Sequence, residues 1–395
     1  MNGGNDIIYS LTTVENKEDK SMQYRKLGNT GINISTLGFG AMRLPQTNID
    51  GKMVFDTEES IRMIHRAFEL GVNYIDTAPY YCEKQSEEIV GKAIKGWRDK
   101  IYLSTKNPIE DASGDHYRER LENSLKKLDT DYIDFYHMWG ISLESFEQKI
   151  NVKDGPLSAA LKAKDEGLIK HLSFSFHDKA ENMIKLIDTG YFETVLCQYN
   201  MLDRSNEAGI VHAHEKGLGV VIMGPIGGGR LGAPSEVINK LIPGGAKSSA
   251  ELALRFVISN PNVTCALSGM GSMAMVEENV TVASNGQQLT DDEINAINEA
   301  MEQNKKLSEL YCTGCNYCMP CPKEVNIPKI FEYMNYHRVY RLTDYAKAEY
   351  KSIGTNEWVK GNRADACVDC GICEQKCPQK IQIRKQLKES AKELA

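Results

Sequence analysis

Residues 57–78, TEESIRMIHRAFELGVNYIDTA, decide the fold. Positions 57–70 carry an amphipathic helical pattern, with Thr57 as the expected N-cap and Glu58-Glu59 in the first turn; Gly71 closes it. The apolar run 73–78 follows at once, short and branched like a strand buried on both faces. The same alternation extends in both directions. Strands are expected at 35–43, 73–78, 101–106, 132–139, 169–176, 194–200, 219–226 and 262–270, with amphipathic helices such as 115–128, 177–188 and 248–259 between them. Eight units over about 260 residues predict an α/β chain folded as a (β/α)8 TIM barrel. The competing arrangement is a doubly wound open sheet, but eight even repeats without a Gly-rich first turn weigh against it. Ahead of the first unit, 22–27 and 32–34 flank Gly28-Asn29-Thr30-Gly31, which predicts a hairpin closing the barrel bottom.

With 395 residues there is room for two or three domains. A net charge of −7 argues against a nucleic-acid binder, which would carry a basic face. No apolar stretch reaches the ~18 residues of a membrane span, so no membrane partner is expected. Residues 1–21 read as a flexible polar tail rather than a signal peptide, and the expected location is cytoplasmic. The expected boundaries are 22–300 for the barrel and 301–395 for a small, mostly helical second domain. The latter has helical patterns at 327–340, 344–353 and 383–394, behind a polar connecting helix at 287–310.

Eight of the eleven cysteines stand in two runs, Cys312-x2-Cys315-x2-Cys318-x2-Cys321-Pro322 and Cys367-x2-Cys370-x2-Cys373-x3-Cys377-Pro378. Clustered thiols in a long chain read as metal ligands rather than a disulfide scaffold. Three thiolates two residues apart can hold three corners of an iron–sulfur cube, while a fourth, followed by Pro, ligates the other cube. On that logic Cys312, Cys315, Cys318 and Cys377 hold one [4Fe-4S] cluster, and Cys367, Cys370, Cys373 and Cys321 the second. The first run is one residue shorter before its last Cys than the usual spacing. Two zinc sites are the plainer alternative, but zinc ribbons pair two CxxC halves and have no use for four cysteines in one run. The two runs and the 45 residues between them resemble α-helical two-[4Fe-4S] ferredoxin domains.

Active sites of (β/α)8 barrels lie at the C-terminal strand ends. There the second strand brings Asp76 and, just beyond it, Tyr81; the third brings Lys106; the fourth brings His137 and Trp139. A lysine ammonium beside a tyrosine lowers the phenol pKa from ~10, and an aspartate keeps the lysine charged and oriented. Such a tyrosine can protonate a carbonyl oxygen as hydride reaches the carbon. Asp–Lys pairs in barrels also serve as stabilising elements alone.

Arg25-Lys26-Leu27-Gly28-Asn29-Thr30-Gly31, Leu37-Gly38-Phe39-Gly40, Asp76-Thr77-Ala78-Pro79, Ser104-Thr105-Lys106, Asp131-Tyr132-Ile133-Asp134 and Glu278-Asn279 follow in order. Over about residues 22–285 the chain resembles the aldo/keto reductase family. The resemblance implies NAD(P)H-dependent carbonyl reduction by an Asp/Tyr/Lys/His tetrad, whose first three members match Asp76, Tyr81 and Lys106. The family's histidine position holds Trp139, and His137 lies two residues earlier on the same strand face. Either His137 or the Trp139 indole N–H would then orient the carbonyl, or ordinary carbonyl reduction is impaired.

For the nucleotide, the resemblance assigns Ser175 and Gln198 to the carboxamide. Pro225, Gly227, Gly229 and Arg230 fall to the pyrophosphate, where glycine-rich backbone lets N–H groups approach. Gly269, Ser272, Glu278 and Asn279 fall to the adenine end. Met270, Met273 and Met275 stand where NADP-preferring relatives carry a basic residue, so the expected nucleotide is NADP or NAD.

Three functions compete. The leading one is a nicotinamide-dependent oxidoreductase acting on a small-molecule carbonyl or alcohol, fused to the cluster domain. The second is an electron-transfer protein whose clusters serve a protein partner, with the barrel as a docking or redox-converting body. The third makes the clusters structural or redox-sensing, with catalysis confined to the barrel. Nicotinamide gives hydride whereas clusters pass single electrons, so direct coupling needs an adaptor such as flavin.

Overall fold

The computed structural model describes residues 21–49, 52–232, 235–286, 288–309, 312, 316–355, 359–377 and 380–395. The chain opens with an antiparallel hairpin, β1 (Tyr24–Lys26) and β2 (Asn33–Ser35). Gly28 sits at φ 53 against the turn before a barrel strand, where a Cβ would stand 2.4 Å from the Gly217 carbonyl oxygen. Asn29 N–H donates to that oxygen at 2.8 Å. The hairpin thus plugs the bottom of the barrel, as its turn chemistry predicts.

The first barrel strand is β3 (Leu37–Gly40). A second hairpin, β4 (Gln46–Ile49) and β5 (Lys52–Phe55), follows where no strand is expected, its first strand carrying no apolar run. Next come β6 (Tyr74–Asp76), β7 (Tyr102–Pro108), β8 (Ile133–Ile141), β9 (Ile169–Phe176), β10 (Thr194–Gln198), β11 (Gly219–Met223) and β12 (Cys265–Gly269). These seven and β3 close an eight-stranded parallel barrel in sequence order, β12 pairing with β3. All eight expected strands are present. Several are shorter than expected because their ends turn away into the loops that build the barrel mouth.

Helices cover the barrel, and their caps explain where they start. Asp56, not Thr57, caps the helix Thr57–Glu69: its carboxylate accepts from Glu59 N–H at 2.9 Å. Gly71 ends that helix at φ 99, where a Cβ would lie 2.8 Å from Met22 Cβ. Ser113 caps Gly114–Leu128 and Ser248 caps Ser249–Ser259 in the same way. The helix expected from 177 begins only at Ala180, since Lys179 is extended, and this leaves His177 in the mouth loop after β9.

Beyond the barrel, the helix Asp291–Glu309 leads to a region of three longer helices, Ile327–Arg338, Thr343–Ser352 and Ile383–Leu394. Ile330, Phe331, Met334, Leu342, Ala346, Tyr350, Ile383 and Leu387 form its buried centre. Ser235, near the loop after β11, donates its hydroxyl to the Tyr340 carbonyl oxygen at 2.9 Å and ties this region to the barrel. Among the described residues no helix is long and apolar enough to cross a membrane.

Candidate active site and cluster ligands

Parallel register brings the polar residues of β6, β7 and β8 together. Asp76 pairs with Ser104 and Lys106 with His137 as Cα partners across neighbouring strands. The Lys106 ammonium donates to Asp76 Oδ2 and, at 2.7 Å, to the Thr77 carbonyl oxygen; both charged side chains are 2% exposed. Ser104 Oγ donates to Asp76 Oδ1 at 2.7 Å. A buried charge of this kind survives only when paired and fully hydrogen-bonded, as here.

Tyr81 stands above the pair, with Lys106 Nζ 4.7 Å from its ring centroid. The three residues after it, Cys82, Glu83 and Lys84, all have left-handed backbone, φ 52, 51 and 71. Successive non-glycine residues in that region are strained, and the turn they make holds the phenol at the mouth. Trp139 meets Tyr81 edge-on, with centroids 5.7 Å apart and planes at 87°, and also packs on Tyr80 at 5.5 Å. Tyr80 OH in turn donates to Glu110.

The electrostatics correct one expectation. Burial raises the Tyr81 pKa and outweighs the opposing pull of Lys106, so the phenol lies above its ordinary value instead of below it. At neutral pH it is a protonated donor. Burial also works against the Lys106 ammonium, yet Asp76 and Tyr81 more than compensate and lysine stays charged. Burial lifts the Asp76 carboxyl, against Lys106 and Ser104.

The two candidates for the fourth position occupy different places. Trp139 is half-buried at the mouth beside Tyr81. His137 is fully buried, with Nε2 2.9 Å from Ser104 Oγ. Its pKa falls to about 3, through burial first and then the nearby Lys106 charge.

The expected nucleotide residues ring the same end of the barrel. Ser175 is buried and accepts from Gly140 N–H at 2.7 Å. Gln198 ends β10, its amide against Gly224, where a Cβ would lie 2.6 Å from Oε1. Pro225 is buried, and Gly227, Gly229 and Arg230 belong to the tight turn Gly227–Gly232 after β11. Gly269 ends β12 alongside Arg43, a basic residue absent from the sequence expectations. Ser272 caps the helix Met273–Ser284 through Met275 N–H. On that helix Glu278 is exposed and accepts from Ser248 Oγ at 2.7 Å, while Asn279 is buried and donates to Ser268 Oγ at 3.1 Å. Ser104 is a further polar residue at this end that motif reading did not single out as a site residue; the strand pairings, not the linear spacing, reveal it.

In the C-terminal region, Cys318, Cys321, Cys367, Cys370 and Cys373 line one cavity together with Pro322, Val368, Ile372 and Arg384. Cysteines of both runs therefore border a common space, among them all four expected ligands of the second cluster, although among the described residues they are not drawn together into a preformed metal-binding group. That donor set suits an iron–sulfur cube. Cys370 is exposed and Cys373 buried. Cys312 borders a separate cavity with Asn316, Asn326 and Lys329, and Cys377 is half-buried. Cys315 lies outside the described residues.

Known proteins resemble parts of this chain. Residues 36–302 match the aldo/keto reductase family and residues 311–381 the 4Fe-4S dicluster domain. An uncharacterized oxidoreductase of Bacillus subtilis, YqkF, is 28% identical over 318 residues, spanning 71% of this chain and 97% of the relative. L-galactose dehydrogenase of Arabidopsis thaliana is 27% identical over 315 residues, 73% of this chain and 97% of that enzyme. Among solved structures, the holo form of the aldo-keto reductase AKR11C1 from Bacillus halodurans superposes with a TM-score of 0.61 at 29% identity. It covers 70% of this chain and 96% of its own. With more than half its length matched and the barrel closed as the family requires, the chain is an oxidoreductase that belongs to the aldo/keto reductase family and carries a 4Fe-4S dicluster domain after its barrel.

Proposed function

We propose that the barrel is a nicotinamide-dependent reductase of small carbonyl compounds, with Tyr81 as general acid. The observation that carries this reading is the convergence of Asp76, Lys106 and Tyr81 at the C-terminal mouth. A bound NADH or NADPH would supply hydride to the carbonyl carbon. Tyr81 gives its hydroxyl proton to the carbonyl oxygen, and Lys106 stabilises the phenolate left behind. Asp76 keeps Lys106 charged and aimed. Trp139 forms the wall against which the substrate is held, in the place where the family has histidine. Gln198, the Gly227–Gly232 turn, and Asn279 with its neighbours form the nucleotide track, and Arg43 beside Gly269 adds a cation there. The match to a sugar dehydrogenase supports a hydroxylated carbonyl as one substrate class to try first.

The eight run cysteines hold two [4Fe-4S] clusters in this reading, within a unit of about residues 301–395 that follows a barrel of about 22–300. The clusters would supply one-electron chemistry. A second reading, electron exchange with a protein partner, is favoured by one feature. Val368 and Ile372 are 58% and 39% exposed beside exposed Cys370. An apolar rim at a cluster-ligand thiol suits contact with a redox protein. Spectra of the anaerobically purified protein with NADH and with NADPH separate the readings. Bleaching of the cluster absorbance by nucleotide supports coupling; turnover with silent clusters confines the chemistry to the barrel.

A further inference from the structure

Beside Asp76 runs a second line of buried polar groups that the proposed reaction does not use. Ser104 Oγ donates to Asp76 Oδ1 at 2.7 Å, and His137 Nε2 lies 2.9 Å from the same Oγ. A hydroxyl has one proton. With it committed to the carboxylate, Oγ can only accept from His137, which must carry its proton on Nε2. His137 Nδ1, buried with no partner within hydrogen-bonding distance, is then a bare acceptor, and the Phe174 backbone also faces the ring.

We propose that His137 and Ser104 are positioning residues: His137 fixes the Ser104 hydroxyl toward Asp76 and so keeps the Asp76–Lys106 pair ionised beneath Tyr81. This inference rests on the reading of Tyr81 as general acid. Without the Ser104 bond, the carboxylate loses one of its donors in a site where burial already favours the neutral acid. The proton then passes from Lys106 Nζ to Asp76 Oδ2, leaving a neutral amine below the phenol. Tyr81 loses the cation that stabilises its phenolate, and ionises at higher pH. Other titratable groups close to this assembly are Tyr74, whose hydroxyl neighbours Ser104, together with Cys265 near Asp76, Glu87 and His177, which face Lys106, and Cys82 next to Tyr81. Of these, Tyr74 also hydrogen-bonds Ser104, and its phenol supports the hydroxyl alongside His137.

Two measurements on the full-length protein test this. In the first, long-range 1H–15N correlation spectra of histidine-labelled protein locate the His137 proton, with His137→Gln supplying the assignment. Neutral imidazole protonated on Nε2 from pH 5 to 9 is expected. A proton on Nδ1, or a titration within that range, overturns the inference. The second is the pH profile for reduction of 4-nitrobenzaldehyde with NADPH and with NADH. Ser104→Ala and His137→Leu should slow turnover about 10-fold and move the alkaline limb up by about half a unit to one unit. His137→Gln, whose amide can still donate, should return the limb toward the wild-type position. If His137→Leu and Ser104→Ala lower the melting temperature but leave the limb in place, the two residues are only structural and the inference fails. Tyr81→Phe, run alongside, separates the two levels. Full activity of that variant removes the reading beneath; an inert Tyr81→Phe with an unmoved limb in Ser104→Ala removes this inference alone.

Discussion

Trp139 meets the Tyr81 ring edge-to-face, 5.7 Å between centroids, at the mouth of the barrel. An aromatic wall thus stands beside the phenol proposed as proton donor. Trp139→Ala removes that wall and lets the substrate carbonyl wander, and a misplacement of about 1 Å can cost ~10²-fold. We expect kcat/KM to fall by one to two orders of magnitude while nucleotide affinity is unchanged. Trp139→Phe keeps the ring contact but loses the indole N–H. A large loss in Trp139→Phe as well would show that the N–H itself orients the carbonyl.

Lys106→Met is expected to slow turnover by ~10²–10⁴-fold and to displace the alkaline limb of the pH profile upward. The sign follows from the site: Lys106 opposes the burial that raises the Tyr81 pKa, so removing it raises that pKa further. A limb that moves to lower pH would contradict the pairing of Lys106 with Tyr81.

His137 makes folding sensitive to acid. In the folded protein its pKa is about 3, against 6.5 for an unhindered histidine. Between those values the unfolded chain takes up a proton that the folded chain refuses, so stability falls as pH drops below about 6.5. The slope is at most about 1.4 kcal/mol per pH unit, and the group has no such effect above that pH. His137→Leu abolishes this dependence, though its loss of the Ser104 contact lowers the plateau. Urea midpoints between pH 5 and 7.5 should fall less steeply with acid in the variant; an identical slope would contradict the burial of a neutral imidazole.

The two cysteine runs predict about eight irons and about eight acid-labile sulfides per chain. Cys367→Ala, which removes a ligand from the cavity shared by Cys321, Cys370 and Cys373, should leave about four of each. Stoichiometric zinc without sulfide would contradict the cluster assignment.

The barrel was legible because parallel strands buried on both faces leave continuous apolar runs, and Ile169–Phe176 is bounded as its pattern suggests. The hairpin Gln46–Ile49 with Lys52–Phe55 was not, since its first strand carries no apolar run. Asp76, Lys106 and Tyr81 could be placed at the mouth from strand ends alone. The role of Ser104 could not. It depends on the register that sets Asp76 beside Ser104 and Lys106 beside His137, across connections of about thirty residues that no local pattern encodes. The direction of the Tyr81 pKa was likewise hidden, because the sequence shows the neighbouring lysine but not the burial that outweighs it.

The most direct test of the account is the rate of nicotinamide oxidation coupled to carbonyl reduction, measured anaerobically in wild-type protein and in Tyr81→Phe, with the dissociation constants of NADH and NADPH measured in both. Loss of the general acid should lower the rate by ~10²–10⁴-fold with the dissociation constants unchanged. A Tyr81→Phe variant that oxidises nucleotide and reduces the carbonyl at the wild-type rate would contradict the assignment of Tyr81 as acid and, with it, the proposed reaction of the barrel.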